Sequence, residues 1–383
     1  MLGIRGGLLK EAVNIITSII SKKIATPILQ NVYIKFQEGS LYLYSTNLEN
    51  AVEVVVKDVA LEKDDIGKET ILPYKIFKEF VSKLSSEENV DIDIKENTCL
   101  LKTEDVQFEM NVLPVQDYKD SMLSYKREGK PEVSLRVERT QIEVIEFLAS
   151  DIVEETVNTN FSSVCVDMNK KGDFIIAGTD GIRLFVYKSS ENFKLKDFKS
   201  ENQILLRAKA LNKILSAIKV DYLILNKYEK FTTLEYEDNV YSITIYLPSV
   251  DTTYPNYLSI VHGCNFDSKI IINADLFKSS LNKIRPVAKG VQIVKFDISN
   301  NKFFAYFEEE GIGKIEANLT KAVEEFDIKK DIVIHLNIEK MYDFINYNKD
   351  EKISIYVKEP LKPIVFQNNN SLYILMPINT SEE

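Results

Sequence analysis

The sequence V-Q-F-E-M-N-V-L-P at residues 106–114 decides how this chain is organised, because its pattern returns twice more. Residues 240–248 read V-Y-S-I-T-I-Y-L-P, and residues 372–377 read L-Y-I-L-M-P. Alternation of apolar and polar residues predicts a strand with one covered face. The closing pairs, at Leu113, Leu247 and Met376, are 134 and 129 residues apart. A repeat of this length predicts three similar units.

A second pattern keeps the same spacing. Leu72, Leu206 and Leu336 each precede a helical pattern and are 134 and 130 residues apart. Every repeat reads as a helix and three strands, followed by a strand, a helix and three more strands, so it is doubled internally. The helical segments, counted with their immediate caps, are 8–23, 74–84, 138–151, 204–219, 274–285 and 337–349, and the fourth helix itself is predicted over 208–220.

These patterns predict an α+β protein of three repeated domains, each with two helices packed on antiparallel sheets. The predicted domains are residues 1–120, 130–250 and 255–383. Brief polar linkers are expected at 116–131 and 249–268.

The composition is that of an ordinary globular protein, with 45 % hydrophobic and 28 % charged residues in 383. No apolar run approaches the roughly 18 residues that a membrane span needs. Lys10 and Glu11 interrupt any signal peptide at the N-terminus. We therefore expect a cytoplasmic protein with no membrane partner.

The cysteines argue against a metal site. Cys99, Cys165 and Cys264 lie far apart, and the chain has only two histidines, His262 and His335. Cysteines in strands behave as small apolar side chains. No metal and no cofactor is predicted.

The net charge of −10 is unevenly distributed. The six helical segments together carry +7, so the remainder carries −17. These helix faces are either simply solvated or form a common basic surface that contacts phosphates without reading bases. Segment 138–151, with a charge of −3, departs from the pattern.

Motifs for enzymes are missing from the sequence. It contains no P-loop, no G-x-G-x-x-G after a strand, no H-E-x-x-H and no G-x-S-x-G. The sequence therefore gives no support to the chief competing class, an enzyme or small-ligand binder on a repeated α+β scaffold. A structural or adhesive β-rich protein is the other competing class.

Six short strings, in order, resemble motifs of the bacterial DNA polymerase III beta subunit family, the replication sliding clamps. In that family the strings read (T)LPILxN, TDLE, LPxxDFP, TDGHRL, FPDY and YVVMPM. Here they are ATPILQNV at 25–32, TNLE at 46–49, LPVQDY at 113–118, TDGIRL at 179–184, YPNY at 254–257 and YILMPI at 373–378.

The resemblance implies three DNA-clamp domains and a head-to-tail homodimer that closes into a ring around double-stranded DNA, without sequence preference. It implies tethering of the polymerase for processive synthesis, with no catalytic chemistry. The implied partners are the DNA polymerase III catalytic subunit, the clamp loader and other proteins that carry a clamp-binding motif.

The resemblance also implies site residues. A pocket between the second and third domains would take a partner peptide with Leu and Phe anchors. Its residues would be Phe161, Thr179, Gly181, Arg183, Leu184, Pro255, Ile260, Ile374, Met376, Pro377 and Ile378. DNA would be contacted by Lys23, Lys78, Lys209 and Lys213, and the dimer by Phe108, Met110 and Val287.

Local explanations compete with these roles. Asp-Gly at 180–181 is also a hairpin signal, Met376-Pro377 also reads as the end of a core strand, and Phe108 and Met110 also fit ordinary core alternation.

Several positions depart from the family pattern. Ile182 stands where the family has histidine, and Thr253 and Ser259 stand where it often has arginine. The chain also continues past Ile378 as N-T-S-E-E. A divergent clamp paralogue with a phage, plasmid or repair role is therefore an alternative.

Overall fold

The computed structural model describes residues 1–20, 26–122, 129–153, 161–190 and 193–380. They form two compact units. The first consists of Met1–Glu146 with Lys209–Asp251, and the second of Phe147–Ala208 with Thr252–Glu383. Both units draw on residues 130–250, so the predicted boundaries of the three domains stay a prediction.

The secondary structure follows the predicted order. The helices are α1 (Gly6–Thr17), α2 (Tyr74–Lys83), α3 (Gln116–Ser121), α4 (Arg139–Phe147), α5 (Ala208–Ala217), α6 (Tyr257–Gly263), α7 (Ala274–Ala288) and α8 (Ile338–Tyr347). The first strands are β1 (Leu2–Arg5), β2 (Asn31–Gln37), β3 (Ser40–Thr46), β4 (Ala51–Val56), β5 (Ala60–Leu61), β6 (Glu69–Pro73), β7 (Asn89–Ile94), β8 (Thr98–Lys102) and β9 (Gln107–Asn111). Next come β10 (Val133–Glu138), β11 (Ser163–Met168), β12 (Phe174–Thr179), β13 (Arg183–Lys188), β14 (Asn202–Arg207), β15 (Tyr222–Lys227), β16 (Phe231–Glu237) and β17 (Tyr241–Pro248). The last are β18 (Ser268–Asn273), β19 (Ile293–Ser299), β20 (Lys302–Glu309), β21 (Gly313–Asn318), β22 (Val323–Asp327), β23 (Ile332–Asn337), β24 (Lys352–Val357), β25 (Ile364–Gln367) and β26 (Ser371–Leu375).

Each unit contains two antiparallel sheets within the described residues. In the first unit the strand orders are β5-β1-β7-β8-β9 and β10-β15-β16-β17-β4-β3-β2-β6. In the second unit they are β14-β11-β12-β13-β26-β25-β24-β18-β22 and β21-β20-β19-β23. The predicted strands and the doubling of each repeat are confirmed.

The largest sheet of each unit joins strands from two repeats. In the first unit β17, from the second repeat, pairs with β4, from the first, with Tyr246 opposite Ala51. In the second unit β13, from the second repeat, pairs with β26, from the third, with Leu184 opposite Ile374. Each junction therefore links the last strand of one repeat to the third strand of a helix-and-three-strand half.

Helices cover one face of these sheets. Helix α1 packs on β3, β4 and α2, and within α1 Asn14 is the one exposed residue. Leu9, Val13 and Ile16 are almost fully buried. In the second unit α7 packs against α8, and α8 contacts β23 and β26.

Some predicted elements need correction. Helix α1 ends at Thr17, whereas the predicted segment ran to residue 23. The acidic segment 138–151 becomes α4 followed by a π-helical turn at Leu148–Ile152. The fourth predicted helix, 208–220, begins at Ala208 as predicted and ends earlier, at Ala217. The two predicted linkers contain helices α3 and α6, which are too short for a helical period to be visible.

The N-terminus of α1 depends on two glycines. The amide of Gly6 donates to the carbonyl oxygen of Glu88 at 2.7 Å, and that of Gly7 donates to Ser86 at 3.0 Å. These bonds satisfy helix amides that have no partner inside the helix. A Cβ on Gly6 would lie 2.4 Å from the carbonyl oxygen of Ser85.

Gly6→Ala is therefore expected to destabilise the first unit by about 1–3 kcal/mol, because the added methyl group displaces the backbone at residues 85–88. Urea denaturation followed by circular dichroism measures the effect. The control is Gly263→Ala, where an added Cβ would meet no atom within 4 Å. Equal stability of the two variants would contradict this explanation of Gly6.

Candidate functional site

The sequence Thr179–Leu184 forms a tight turn between β12 and β13. The amide of Gly181 donates to the Thr179 hydroxyl at 3.0 Å, and that hydroxyl donates to the carbonyl of Arg183 at 2.6 Å. The Asp180 carboxylate accepts the amides of Ile182 and Arg183, both at 2.9 Å. Gly181 has a φ of +90°, which glycine adopts without strain. The predicted hairpin turn is confirmed.

Charged side chains fix this turn to α8. Arg183 contacts Asp180 through Nε at 3.0 Å and also pairs with Asp343. Lys340 donates to Asp180 at 2.7 Å. Burial alone would raise the pKa of Asp180, but donors from Lys340 and from the backbone hold it below its usual value.

The structure places the predicted pocket residues at different depths. Buried residues are Thr179, Arg183, Leu184 and Ile374. Half-buried residues are Phe161, Pro255, Pro377 and Ile378, while exposed residues are Gly181, Ile260 and Met376. Arg183 is only 4 % exposed, and its guanidinium group already pairs with the carboxylates of Asp180 and Asp343. Its contact with a partner therefore stays a prediction.

Part of the predicted pocket comes together at the turn. The amide of Met376 donates to the carbonyl of Ile182 at 3.0 Å, so the end of β26 lies against the turn. Ile182 is 49 % exposed and Met376 is 41 % exposed. A Cβ on Gly181 would lie 3.5 Å from the ring of Phe161. Apolar side chains thus surround the turn on the surface.

Two tyrosines that the sequence reading did not assign support this surface. Tyr254 donates to the carbonyl of Ala177 at 3.2 Å, and Tyr257 donates to the buried carboxylate of Asp167 at 2.9 Å. Both pack in one apolar cluster with Leu184 and Ile374. The sequence signal for these two tyrosines was the string YPNY at 254–257, because they are its first and last residues.

The predicted DNA-contacting lysines occupy unlike environments. Lys209 and Lys213 are exposed on α5. Lys78 is half-buried and donates to the Thr17 hydroxyl at 2.9 Å, and its burial lowers its pKa. Lys23 lies outside the described residues. Exposed Lys75 and Lys83 on α2 were counted in the helix charge but were not selected, because charge sums do not show orientation.

The acidic character of α4 has a local explanation. Glu143 accepts from Arg139 at 3.3 Å, and Glu146 accepts from the Ser216 hydroxyl at 2.8 Å. These acids are therefore engaged by neighbouring side chains.

The predicted dimer residues lie at or near sheet edges. Strand β9 ends the five-stranded sheet of the first unit, and β21 ends the four-stranded sheet of the second. Phe108 is half-buried, with its ring centroid 5.2 Å from that of Phe80. Met110 is buried by its own chain, and Val287 is half-buried near the end of α7.

Comparison with known proteins agrees with this architecture. Residues 4–122 match the family model of the DNA polymerase III beta subunit, N-terminal domain. The beta sliding clamp of Buchnera aphidicola subsp. Rhopalosiphum padi is 26 % identical over 386 residues, which cover 97 % of this chain and 98 % of that protein. The beta sliding clamp of Rickettsia felis is 22 % identical over 391 residues, which cover 97 % of both.

The chain is thus similar along almost its whole length to beta subunits of DNA polymerase III. Solved beta subunits have the same fold along their whole length. The Thermotoga maritima structure gives a TM-score of 0.81 at 18 % identity and covers 100 % of both chains. The Streptococcus pneumoniae structure gives 0.83 at 16 % identity and covers 99 % of both.

The string TDGIRL differs from the family string TDGHRL at Ile182 alone. Ile182 presents an aliphatic side chain where the family has histidine, and Met376 lies beside it.

No helix in the described part of the chain is both long and apolar enough to cross a membrane. Among those same residues, no three His, Cys, Asp or Glu side chains are grouped to hold a metal ion.

Proposed function

We propose that this protein is a DNA sliding clamp: a homodimeric ring that encloses double-stranded DNA and tethers a replicative polymerase to it. The observation that carries the proposal is the pattern of strand junctions. Within the chain, β17 pairs with β4 and β26 pairs with β13. By position in the repeats β9 corresponds to β17 and β26, and β21 corresponds to β4 and β13.

Strands β9 and β21 are the members of this series that end their sheets. Both edges therefore have hydrogen-bonding groups available for another strand. Pairing β9 of one copy with β21 of a second copy repeats the junction already made twice inside each chain. Two copies joined head to tail in this way close a ring of six repeats. Phe108 and Val287, near these edges, are the proposed interface side chains, while Met110 supports β9 from within its own chain.

The proposed DNA contacts come from helix lysines. Exposed Lys209 and Lys213 on α5, with Lys75 and Lys83 on α2, provide positive charge in a chain whose net charge is −10. Such contacts neutralise phosphates and do not distinguish bases. We assign Lys78 a weaker contribution, because its ammonium group is already hydrogen-bonded to Thr17. Lys23 remains a proposed contact on the basis of the resemblance.

The proposed partner site is the apolar surface around Ile182 and Met376, with Phe161 beside the turn. Ile260, Pro377 and Ile378 are assigned to the site on the basis of the resemblance. A flexible methionine beside aliphatic groups suits a site that binds several peptides. The proposed partners are the DNA polymerase III catalytic subunit, the clamp loader and other proteins with clamp-binding peptides. The protein acts in the cytoplasm and performs no catalysis of its own.

A divergent clamp paralogue is the second candidate. The exposed Ile182 favours it, because replacing histidine by isoleucine makes the partner surface more apolar and changes which peptides fit. Comparing binding of the replicative polymerase with binding of a repair polymerase from the same organism separates the two roles.

Primer extension tests the proposed function directly. On a singly primed circular template, adding this protein with its clamp loader is expected to lengthen single-encounter products of the cognate polymerase about tenfold or more, because tethering raises the polymerase's effective concentration. The matched control omits the clamp loader. Products of unchanged length with all components present would contradict the proposal.

A further inference from the structure

Four charged side chains, at positions 180, 183, 340 and 343, form a buried cluster beside the proposed partner site. The side chains of Asp180 and Arg183 are 2 % and 3 % exposed, and those of Lys340 and Asp343 are partly covered. Burying ions costs free energy that their mutual attraction often fails to recover. Stability alone is therefore a weak explanation for this cluster.

The first unit contains the same turn without these charges. At residues 46–50 the Thr46 hydroxyl donates to the carbonyl of Asn50 at 2.9 Å. The side-chain oxygen of Asn47 accepts the amides of Glu49 and Asn50 at 3.1 and 2.8 Å. Leu48 has a φ of +72°, close to that of Gly181. A neutral asparagine thus supports the same backbone. The turn at 179–184 therefore does not need the four charged side chains in order to form.

The charges instead connect this turn to α8 and β26. Lys340 and Asp343 lie one helical turn apart on α8 and bind Asp180 and Arg183 respectively. The Tyr373 hydroxyl donates to the carbonyl of Lys340 at 2.6 Å, which ties α8 to β26. Beyond β26, the amide of Met376 donates to Ile182. These contacts link the turn to α8, α8 to β26, and the residue beyond β26 back to the turn. The exposed residues Ile182 and Met376 both belong to this set of linked elements.

We propose that Lys340 is a positioning residue for partner binding: its bond to Asp180 holds Ile182 beside Met376 in the arrangement that receives the partner peptide. This inference rests on the proposed function. Lys340 itself acts through Asp180 and the turn. Removing its ammonium group leaves a buried carboxylate with one donor fewer, and the turn is expected to shift until water reaches Asp180.

A rescue experiment distinguishes positioning from a general loss of stability. Lys340→Met removes the donor. Asp180→Asn in the same chain then removes the charge of the buried carboxylate and keeps a side-chain oxygen for the backbone amides, as Asn47 does, while Arg183 keeps its pairing with Asp343. Lys340→Arg keeps a cation. Lys330→Met, which changes an exposed lysine elsewhere in the second unit, is the matched control.

The probe is a fluorescein-labelled peptide with Leu and Phe anchors, and binding is measured by fluorescence anisotropy. Lys340→Met is expected to raise its Kd about tenfold, in line with loss of one charge-assisted hydrogen bond. Lys340→Arg and the Asp180→Asn/Lys340→Met double variant are expected to bind within about threefold of the wild type. Hydrogen exchange without peptide is expected to speed up at the amides of Ile182 and Arg183 in Lys340→Met only.

Each outcome decides the matter. Unchanged affinity and exchange in Lys340→Met would overturn the positioning role, as would failure of both rescue variants to recover binding while remaining folded. If Lys340→Met does not fold, the folded double variant decides: wild-type-like affinity supports the proposal and weak binding overturns it. A wild type that does not bind the peptide, or a Met376→Ala variant that binds it as well as the wild type does, contradicts the proposed partner site itself.

Discussion

Replacing Val106 by aspartate is expected to convert the protein from a dimer into a monomer of 44.0 kDa. Val106 directly precedes β9 and is 45 % exposed in the single chain, so its substitution leaves the chain's own core intact. In the proposed junction with β21 of a second copy, the new carboxylate would be buried without a partner. A penalty of about 3 kcal/mol or more corresponds to a dimer dissociation constant raised by about 100-fold or more.

Sedimentation equilibrium measures this change across a range of protein concentrations. The control is Leu361→Asp, which places the same charge at a 56 % exposed position between β24 and β25. The control is expected to dissociate like the wild type. A wild type that sediments as a monomer, or a Val106→Asp variant that dimerises unchanged, would contradict the β9–β21 junction.

Strands were the part of the fold that sequence alone could predict well. Residues 106–112 alternate apolar and polar side chains because one face of the strand is covered, and that period is visible without a structure. The turn at Asp180-Gly181 was equally visible, since both residues favour the required backbone. The three-fold repeat followed from the recurrence of the pairs that close the last strands and of the leucines that precede the helices.

Helix boundaries and side-chain roles were less predictable. Helices α3 and α6 have too few residues for a period, so the segments containing them read as linkers. Lys78 counted as one positive charge among many, whereas the structure directs it to Thr17 on α1. Its position depends on contact between α1 and α2, and no pattern within either helix shows that contact.

The candidate partner site could also be predicted only in part from the sequence. The strings around Arg183 and Met376 were predicted to lie together, and their backbone atoms do meet at the turn. The link from Asp180 to Lys340 joins residues 160 positions apart and was not predicted. A long-range ion pair has no local sequence signal, so only the folded arrangement of the turn and α8 shows it.

Retention on DNA should depend on whether the DNA has free ends, and this is the second large effect that we expect. Phosphate contacts from exposed lysines such as Lys213 are sequence-independent and salt-sensitive, and they permit sliding. Once the ring is closed around a plasmid, it cannot leave by sliding unless the circle is cut. At about 200 mM salt, where direct contacts weaken, topology then governs how long the protein stays bound.

The most direct test loads the protein onto a nicked plasmid, isolates the complex by gel filtration and cuts half of the sample with a single-site restriction enzyme. We predict that the protein stays with the intact circle and is lost from the linear DNA, and that Val106→Asp is retained on neither. Equal retention on circular and linear DNA would contradict the central claim that this chain forms a ring around the duplex.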